Sequence, residues 1–475
     1  MMYDRNLSIP EIALELDHMK AVGMTYVVPI ALGHLNGNTG TPDGSCVSLS
    51  ADGLLFPSAL VPNPPTEDRL DALLTLADER GMKVILGSLQ TAGDWTTGTE
   101  FSALRSCNKA IVQEIEARYG GHTSLSGYSF SQEIWLNWIK NNHAYYGIDL
   151  LRNFVTDVKA INPNRSILVA PVFKKDPQGS MPGLSASETA DALDGLLGSG
   201  VTLVAPQDGI GAGNGAPSLT EIGSYYAAMK PVAVAHNAQL WSILETFVNT
   251  GGDQNKYPPA MISRIQSQIN AEGPYVSKIL TWIFGHDMAP MATYHPVAAS
   301  QLYMDYQAIY TNTPRLDKIP FTVTYGTDSH PAGTPHPGYP DVGNTLKDGL
   351  GGGFGSTASQ WVGFLDSADS NIAAMRISFG QTRTIKKIRM LIRSELASGI
   401  YAPSGTIVVL DNYLGWGVTN HYPLSNTNQY SIQWVEWTPQ EAQPYPFVSL
   451  NVAGFNLLYY HLGWMFIGEI EVYGN

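Results

Sequence analysis

Cysteine is nearly missing from this chain, with Cys46 and Cys107 the two examples in 475 residues. No CxxC spacing occurs, which argues against a structural zinc site. The two could form one disulfide or remain thiols, and so few do not fix a compartment. Long apolar runs are missing too, since no window reaches the roughly 18 consecutive apolar residues of a membrane-spanning helix. The amino terminus lacks the basic-then-apolar pattern of a signal peptide. Met1 falls almost inside a folded domain, so the native chain is expected to extend upstream. Charge is scarce at 14%, and the balance of 27 basic against 41 acidic residues gives a net of −14. Nucleic acid and anionic membranes are therefore excluded as expected partners. HExxH, GxSxG, P-loop and GxGxxG motifs do not occur.

Flat rings are abundant, at 10% of residues with 10 Trp and 24 Tyr. Low charge with many rings suits uncharged polyhydroxylated ligands such as sugars. The length is too great for one core, so two or three domains are expected.

Short apolar runs alternate with amphipathic helices through the first two thirds of the chain. Predicted helices cover Ser8–Val22, Thr66–Arg80, Asn108–Tyr119, Leu150–Ala160, Ala186–Leu197, Leu219–Ala228, Pro259–Asn270 and His295–Tyr310. Predicted strands cover Thr25–Ala31, Lys83–Gly87, Leu125–Phe130, Ser166–Pro171, Thr202–Pro206, Gln239–Glu245 and Lys278–Phe284. That beat means parallel strands with crossover helices. The best closed solution is a (β/α)8 TIM barrel whose first strand is missing, very short or within residues 1–6. An open doubly wound sheet is the alternative. On the barrel reading, the Thr25 strand is the second, the Leu125 strand the fourth and the Gln239 strand the seventh.

The barrel is expected over 1–312, a linker over 313–320, and a different texture over 321–475. There, short β-prone runs such as IKKIRMLI, SIQWVEW and FIGEIEVY alternate with Gly, Pro, Asn and Asp turns, which predicts an all-β sandwich.

Two acids stand at strand ends in the barrel half, Glu133 in GYSFSQEIW and Glu245 in LWSILETF. Carboxyl ends of barrel strands are where chemistry sits. Strands four and seven lie across the mouth from each other. Two carboxylates flanking one bond can cleave a glycoside, one protonating the leaving oxygen while the other attacks the anomeric carbon or activates water. By position, Glu133 is expected as acid/base and Glu245 as nucleophile. Gln207 and Asp208 in APQDGIG would reach the same mouth, although Asp208 also reads as a turn residue before Gly209. Trp282 is a candidate platform for a sugar ring. Trp241, Trp135, Tyr128 and Trp95 are candidate walls or core residues. His34 and Asn36 follow the second strand as further candidate ligands.

The segments GMKVILG, HTSLSGYSFSQEIW, VAPQDGIG and LWSILETF, in this order over roughly residues 7–310, resemble an uncharacterised bacterial family of glycoside-hydrolase-like TIM barrels known by a domain-of-unknown-function number. The resemblance implies a clan of retaining glycosidases with acid/base after strand four and nucleophile on strand seven. Such a clan often has Asn directly before the acid/base, where this chain has Gln132.

The later half resembles the discoidin, or coagulation factor five/eight type C, domain. YPDVGNTLKDG (339–349), SQWVGF (359–364), IRMLI near 388, GIYAPSGTIVV (399–409) and MFIGEIEVY (465–473) carry it. The resemblance implies a jelly-roll sandwich that binds galactose-type sugars or other glycans through loops at one end. Trp416, Tyr413 and His421 are candidates for that tip. It also implies a structural calcium, with Asp348, Asp341 and Glu469 as ligands. No cofactor is expected for catalysis.

The expectation is a secreted, periplasmic or cell-surface glycoside hydrolase, retaining, acting on a polysaccharide or complex glycan, with a carboxy-terminal carbohydrate-binding module. The alternative is a glycan-binding or adhesion protein with an inactive barrel. A lyase acting on acidic polysaccharide would call for basic clusters, and there are none beyond Lys174 and Lys175.

Overall fold

A computed structural model describes residues 7–35, 54–61, 63–91, 101–141, 147–173, 183–213, 215–251, 257–292, 294–314, 316–326, 333–349, 351, 361–365, 372–383, 385–403, 405–410, 413–415, 431–437, 450–458 and 463–474. Contacts divide the chain into two compact units, 1–287 and 288–475.

The first unit is a parallel sheet wrapped by helices. Its strands run in the order Tyr26–Val27, Lys83–Gly87, Leu125–Trp135, Ser166–Val172, Leu203–Val204 and Gln239–Leu240. Ser242–Glu245 continues the last of these and pairs in parallel with Ile279–Trp282. Bridges from Gln207 to Val172 and to Ile243 carry the ladder past Val204. These are seven parallel strands of a TIM-type barrel, in chain order. The expected first strand, if within residues 1–6, lies outside the described residues.

Local chemistry sets the helix ends. Asp68 accepts the Asp71 N–H at the start of Arg69–Arg80, and Gly81 ends that helix in the left-handed region at φ +66°. Leu70, Leu73, Leu74 and Ala77 form its buried stripe. One helix differs from expectation. It runs Ile222–Ala235 rather than Leu219–Ala228, because Glu221 takes both the N–H and the hydroxyl of Ser218 and delays the start. It continues through Pro231, where one ladder bond is lost, because Met229 and Ala233 stay buried on either side.

Barrel strands approach closely at Gly127, where an added Cβ would lie 2.2 Å from the Ser166 carbonyl oxygen. Val28, Ile85, Leu168, Leu203, Ala205, Trp241, Ile243 and Leu280 form one buried cluster. Cys107 is buried and disulfide-bonded.

The second unit is a sandwich of two antiparallel sheets. One contains Asp317–Lys318, Val362–Leu365, Ile385–Ser394, Ser431–Trp437 and Trp464–Gly474; Asp317–Lys318, within the stretch expected as linker, pairs with Tyr473 and Gly474. The other contains Thr322–Tyr325, Ile372–Arg383, Gly405–Leu410, Tyr413–Gly415 and Leu450–Leu458. The core includes Met375, Ile377, Ile388, Met390, Ile467, Ile470 and Val472. The first sheet is buried on its other face as well. There Trp361, Leu391, Ile432, Trp434 and Phe466 pack with Val297 of the Pro296–Thr311 helix. Within this layer Arg389, 1% exposed, pairs with Glu471, donates to Ser300 Oγ and lies 4.0 Å over the Trp434 ring.

Candidate active site

The fourth strand does not run straight to its acid. Phe130 opposes Val169 and Ile134 opposes Pro171, so four steps on one strand match two on its neighbour. The extra residues are pinned inward. The Ser131 N–H donates to Ser88 Oγ (3.0 Å), the Ser131 hydroxyl to the Ser88 carbonyl (3.0 Å), and the Gln132 amide to the Leu89 carbonyl (3.0 Å). Gln132 is thereby buried, and Glu133 is left exposed at the strand end. The Gln207 amide, from the sixth strand, donates to Glu133 Oε1 at 3.3 Å.

Glu245 ends the seventh strand and is 3% exposed. It stands in register with Trp282 on the eighth strand. Its Oε2 accepts the Ala212 N–H at 2.6 Å, from the turn after Asp208. That turn needs glycine at 211, where a Cβ would meet the Phe247 carbonyl oxygen at 2.5 Å and Glu245 Cβ at 2.9 Å. Asp208 is completely buried and accepts from Ile210 N–H (3.1 Å), Glu245 N–H (3.3 Å) and the Gln268 amide (2.5 Å). Arg264 donates from one guanidinium nitrogen to the carbonyls of Glu245 and Phe247, both at 2.7 Å. Behind them, burial and the charge of Asp208 push the Glu272 carboxyl up to about 10, and burial raises Asp208 as well.

Asp287 closes this layer, accepting from Ile283 N–H and the Thr246 hydroxyl, each at 3.0 Å. Burial pushes its carboxyl up to about 7 against those two hydrogen bonds and Arg264. A carboxyl raised above its unfolded value favours the protonated fold. Its stabilisation is complete below about pH 4 and is lost as pH climbs to about 7, by up to about 4 kcal/mol. Asp287→Asn keeps an acceptor and removes the titration. Its melting temperature relative to the parent is expected to rise from pH 4 to pH 7 and then level off. An offset constant across that window in thermal scans would refute the assignment.

Of the residues singled out from sequence, Glu133, Gln207, Glu245 and half-buried Trp282 come together at the strand ends. Asp208 lies beneath them rather than among them. Trp241 is 1% exposed and packs edge-on against Tyr26 at 5.0 Å, inside the barrel cluster. Tyr128 is fully buried, and its hydroxyl donates to Glu116 of the Phe101–Tyr119 helix at 2.7 Å. Neither reaches the mouth. Trp135, 9% exposed, stacks with Trp138 at 6.4 Å. The backbone of His34 pairs with Gln90, and its side chain lies outside the described residues, as do Asn36 and Trp95.

In the second unit, Asp341 accepts from the Tyr325 hydroxyl (2.5 Å) and the Thr345 N–H (2.9 Å). Glu469, 2% exposed, accepts from the Gly349 N–H at 3.1 Å. Burial, then the charges of Glu471 and Asp348, push Glu469 up to about 8. Asp348 itself is exposed. Among the described residues no three or more His, Cys, Asp or Glu side chains gather as a metal site. Trp416 and His421 lie outside the described residues, as does the Tyr413 side chain. Sequence reasoning missed a ring cluster: half-buried His336, Tyr339 and Trp464 meet at 4.9 and 5.1 Å, with Phe466 beneath and Arg393 over Phe466 at 6.0 Å. It also missed Arg264, Gln268, Glu272 and Asp287.

The profile of a family described as Domain of unknown function (DUF4434) matches residues 4–297. No curated protein matches the chain in sequence. Among solved structures, a provisionally named alpha-L-fucosidase from Bacteroides thetaiotaomicron VPI-5482 is similar at 22% identity, with 65% of this chain and 89% of that chain covered and a TM-score of 0.53. Beta-glucuronidase 2 of Bacteroides uniformis matches at 11% identity over 99% of this chain and 63% of that one, TM-score 0.41. The intracellular xylanase TsXylA of Thermoanaerobacterium saccharolyticum matches at 12% identity over 59% and 84%, TM-score 0.36. The likeness in fold rests on the first of these.

Proposed function

The chain belongs to the DUF4434 family, and from that premise we propose that it is a retaining glycoside hydrolase acting on a polysaccharide or complex glycan. The observation that carries the reading is one constellation: Glu133 and Glu245 end different strands of one barrel, and the adjacent Gln207 and Asp208 at the end of the sixth strand bond the Glu133 carboxyl with one side chain and the Glu245 N–H with the other. In this reading Glu133 protonates the leaving oxygen while Glu245 attacks the anomeric carbon. Glu133 then takes a proton from water, which displaces Glu245. An acid that must reach a leaving group suits the exposed site of Glu133. A nucleophile that must not wander suits the enclosed site of Glu245. Trp282 and Gln207 would contact the sugar. The test is release of reducing ends from a panel of polysaccharides and of nitrophenol from aryl glycosides, with NMR of the first-formed anomer. A retained anomer is expected.

A second reading, glycan binding without hydrolysis, draws on Gln132, whose amide is committed to Leu89 rather than to the space beside Glu133. Glycan-array binding with no bond cleaved on any probe would favour it.

The sandwich is assigned as the carbohydrate-binding module, with His336, Tyr339 and Trp464 as its ring-bearing end, since rings with polar tips grip sugars. Calcium belongs to the same proposal. Glu469, raised to about 8 beside Glu471 and Asp348, is an oxygen donor short of positive charge, which a hard cation would supply. About 1 mM calcium is expected to raise the melting temperature in the parent and not in Glu469→Gln. Equal melting curves with calcium and with EDTA would remove calcium from the proposal. A secreted or surface location is proposed with it, and the disulfide at Cys107 supports an oxidising compartment.

A further inference from the structure

We infer that Arg264 and Asp208 are positioning residues for Glu245, gripping its backbone carbonyl and N–H so that its carboxyl is presented in one orientation. The inference rests on the hydrolase reading above and adds to it two residues that never touch substrate.

Three polar groups of Glu245 are held, two by the turn after the sixth strand and one by the helix that follows the seventh. Its N–H goes to Asp208, at the end of the sixth strand. Its carbonyl goes to Arg264, on the Ile262–Glu272 helix. Its Oε2 takes the Ala212 N–H, and Asp208 shapes that turn by accepting the Ile210 N–H. Arg264 also holds the Phe247 carbonyl at 2.7 Å. Carbonyls two residues apart on a strand point the same way, so one guanidinium nitrogen bridging them fixes the direction of the strand end. The pairing with the eighth strand supports Glu245 from its other side, through Trp282 and the Thr246 N–H on the Trp282 carbonyl at 3.0 Å.

The surroundings suit a grip rather than loose packing. Asp208 is completely buried, and Gln268 fixes its second oxygen. Glu272 lies behind it with its carboxyl pushed up to about 10. Burial raises both carboxyls, so the pair resists carrying two negative charges. Burial lowers the Arg264 guanidinium, and Asp208, Glu245 and Asp287 oppose that loss. The cation thus sits among three carboxyl groups, one of them that of Glu245, assigned as nucleophile. The two N–H groups of the one bridging nitrogen lie in a fixed plane, a preorganisation that a freely rotating lysine ammonium lacks.

The experiment uses the full chain with Arg264→Met, Arg264→Lys and Asp208→Asn, and Glu245→Gln as a reference. Two readouts are taken: steady-state kinetics on para-nitrophenyl glycosides, and amide hydrogen exchange at Glu245 and Ala212. Arg264→Met is expected to lower kcat by about 10²-fold, the scale of a small misplacement of a reacting group, with KM within about twofold. Arg264→Lys should fall between, and guanidinium ion should restore part of the Arg264→Met rate. Exchange at Glu245 and Ala212 should quicken at least about tenfold, while Leu125–Phe130 amides stay unchanged. A general loss of stability would move both sets of amides and would not split kcat from KM. Unchanged local exchange in both Arg264→Met and Asp208→Asn overturns the grip. Faster exchange with unchanged kcat overturns its role in the reaction. Faster exchange in a protein whose parent and Glu245→Gln are equally inert on every probe overturns the hydrolase reading, and the positioning role with it. Should Asp208→Asn not fold, the two Arg264 variants still decide the matter.

Discussion

Glu245→Gln is expected to abolish turnover on every glycoside, by about 10³-fold or more, whatever the leaving group. Glutamine has nearly the shape of glutamate and can still accept the Ala212 N–H, so the fold should survive while the proposed nucleophile is lost. Glu133→Gln should behave differently. Its loss removes the proposed proton donor, and the need for one depends on the departing oxygen. On natural glycans, whose leaving alkoxides are poor, the drop should be about 10²–10⁴-fold. On dinitrophenyl glycosides, whose leaving group departs without protonation, formation of the glycosyl-enzyme should be nearly unaffected, and its breakdown should be rescued by azide. The contrast is the informative part. Two variants that fall equally on both substrate classes would remove the division of labour between Glu133 and Glu245, and full activity in either would remove that residue from the chemistry.

Arg389→Ala is expected to cost the sandwich about 3–5 kcal/mol, the scale of breaking a buried ion pair by deleting one partner. Arg389 is 1% exposed, and Glu471, 2% exposed, is its counter-ion. Burial alone would raise the Glu471 carboxyl, but Arg389 and Lys318 outweigh it and hold Glu471 below the usual range. Without the guanidinium, Glu471 keeps Lys318, itself partly exposed, as its cation. Tyr473, which donates to Glu471 at 2.7 Å, would carry more of the charge. Trp434 lies under the guanidinium, so its fluorescence should report the change. The double variant Arg389→Met with Glu471→Leu should recover much of the loss, because replacing both partners leaves no stranded charge. A single variant within about 0.5 kcal/mol of the parent in denaturant titration would show that the pair contributes little.

The parallel beat was readable from sequence because a strand covered on both faces is a short apolar run, and KVILG and SILVAP are such runs. The same property hid which way side chains point. Tyr128 and Trp241 sit on apolar strands whose two faces look alike in sequence, and one turns to the helices while the other turns into the barrel. The direction of Glu133 was beyond counting by twos, since the offset between Phe130 and Ile134 resets the alternation. Arg264, Gln268 and Glu272 carried a signal that went unused. They recur every four residues, and Gln268 and Glu272 are as buried as Ile262 and Ile265 on the same helix, which an ordinary solvated stripe would not be. In the sandwich, the strand pattern gave the architecture, but buried Arg389 resembles an outward-facing charge in any alternation scheme.

The Pro296–Thr311 helix bears on how the protein can be dissected. Its Val297 is packed with Trp361, Leu391, Ile432, Trp434 and Phe466, and its Ser300 meets Arg389. A recombinant sandwich begun at the change of texture near residue 321 would leave that hydrophobic surface naked in water and invite self-association. Cloning boundaries for a soluble fragment of this unit belong upstream of Pro296, where the helix can travel with the sheet it covers.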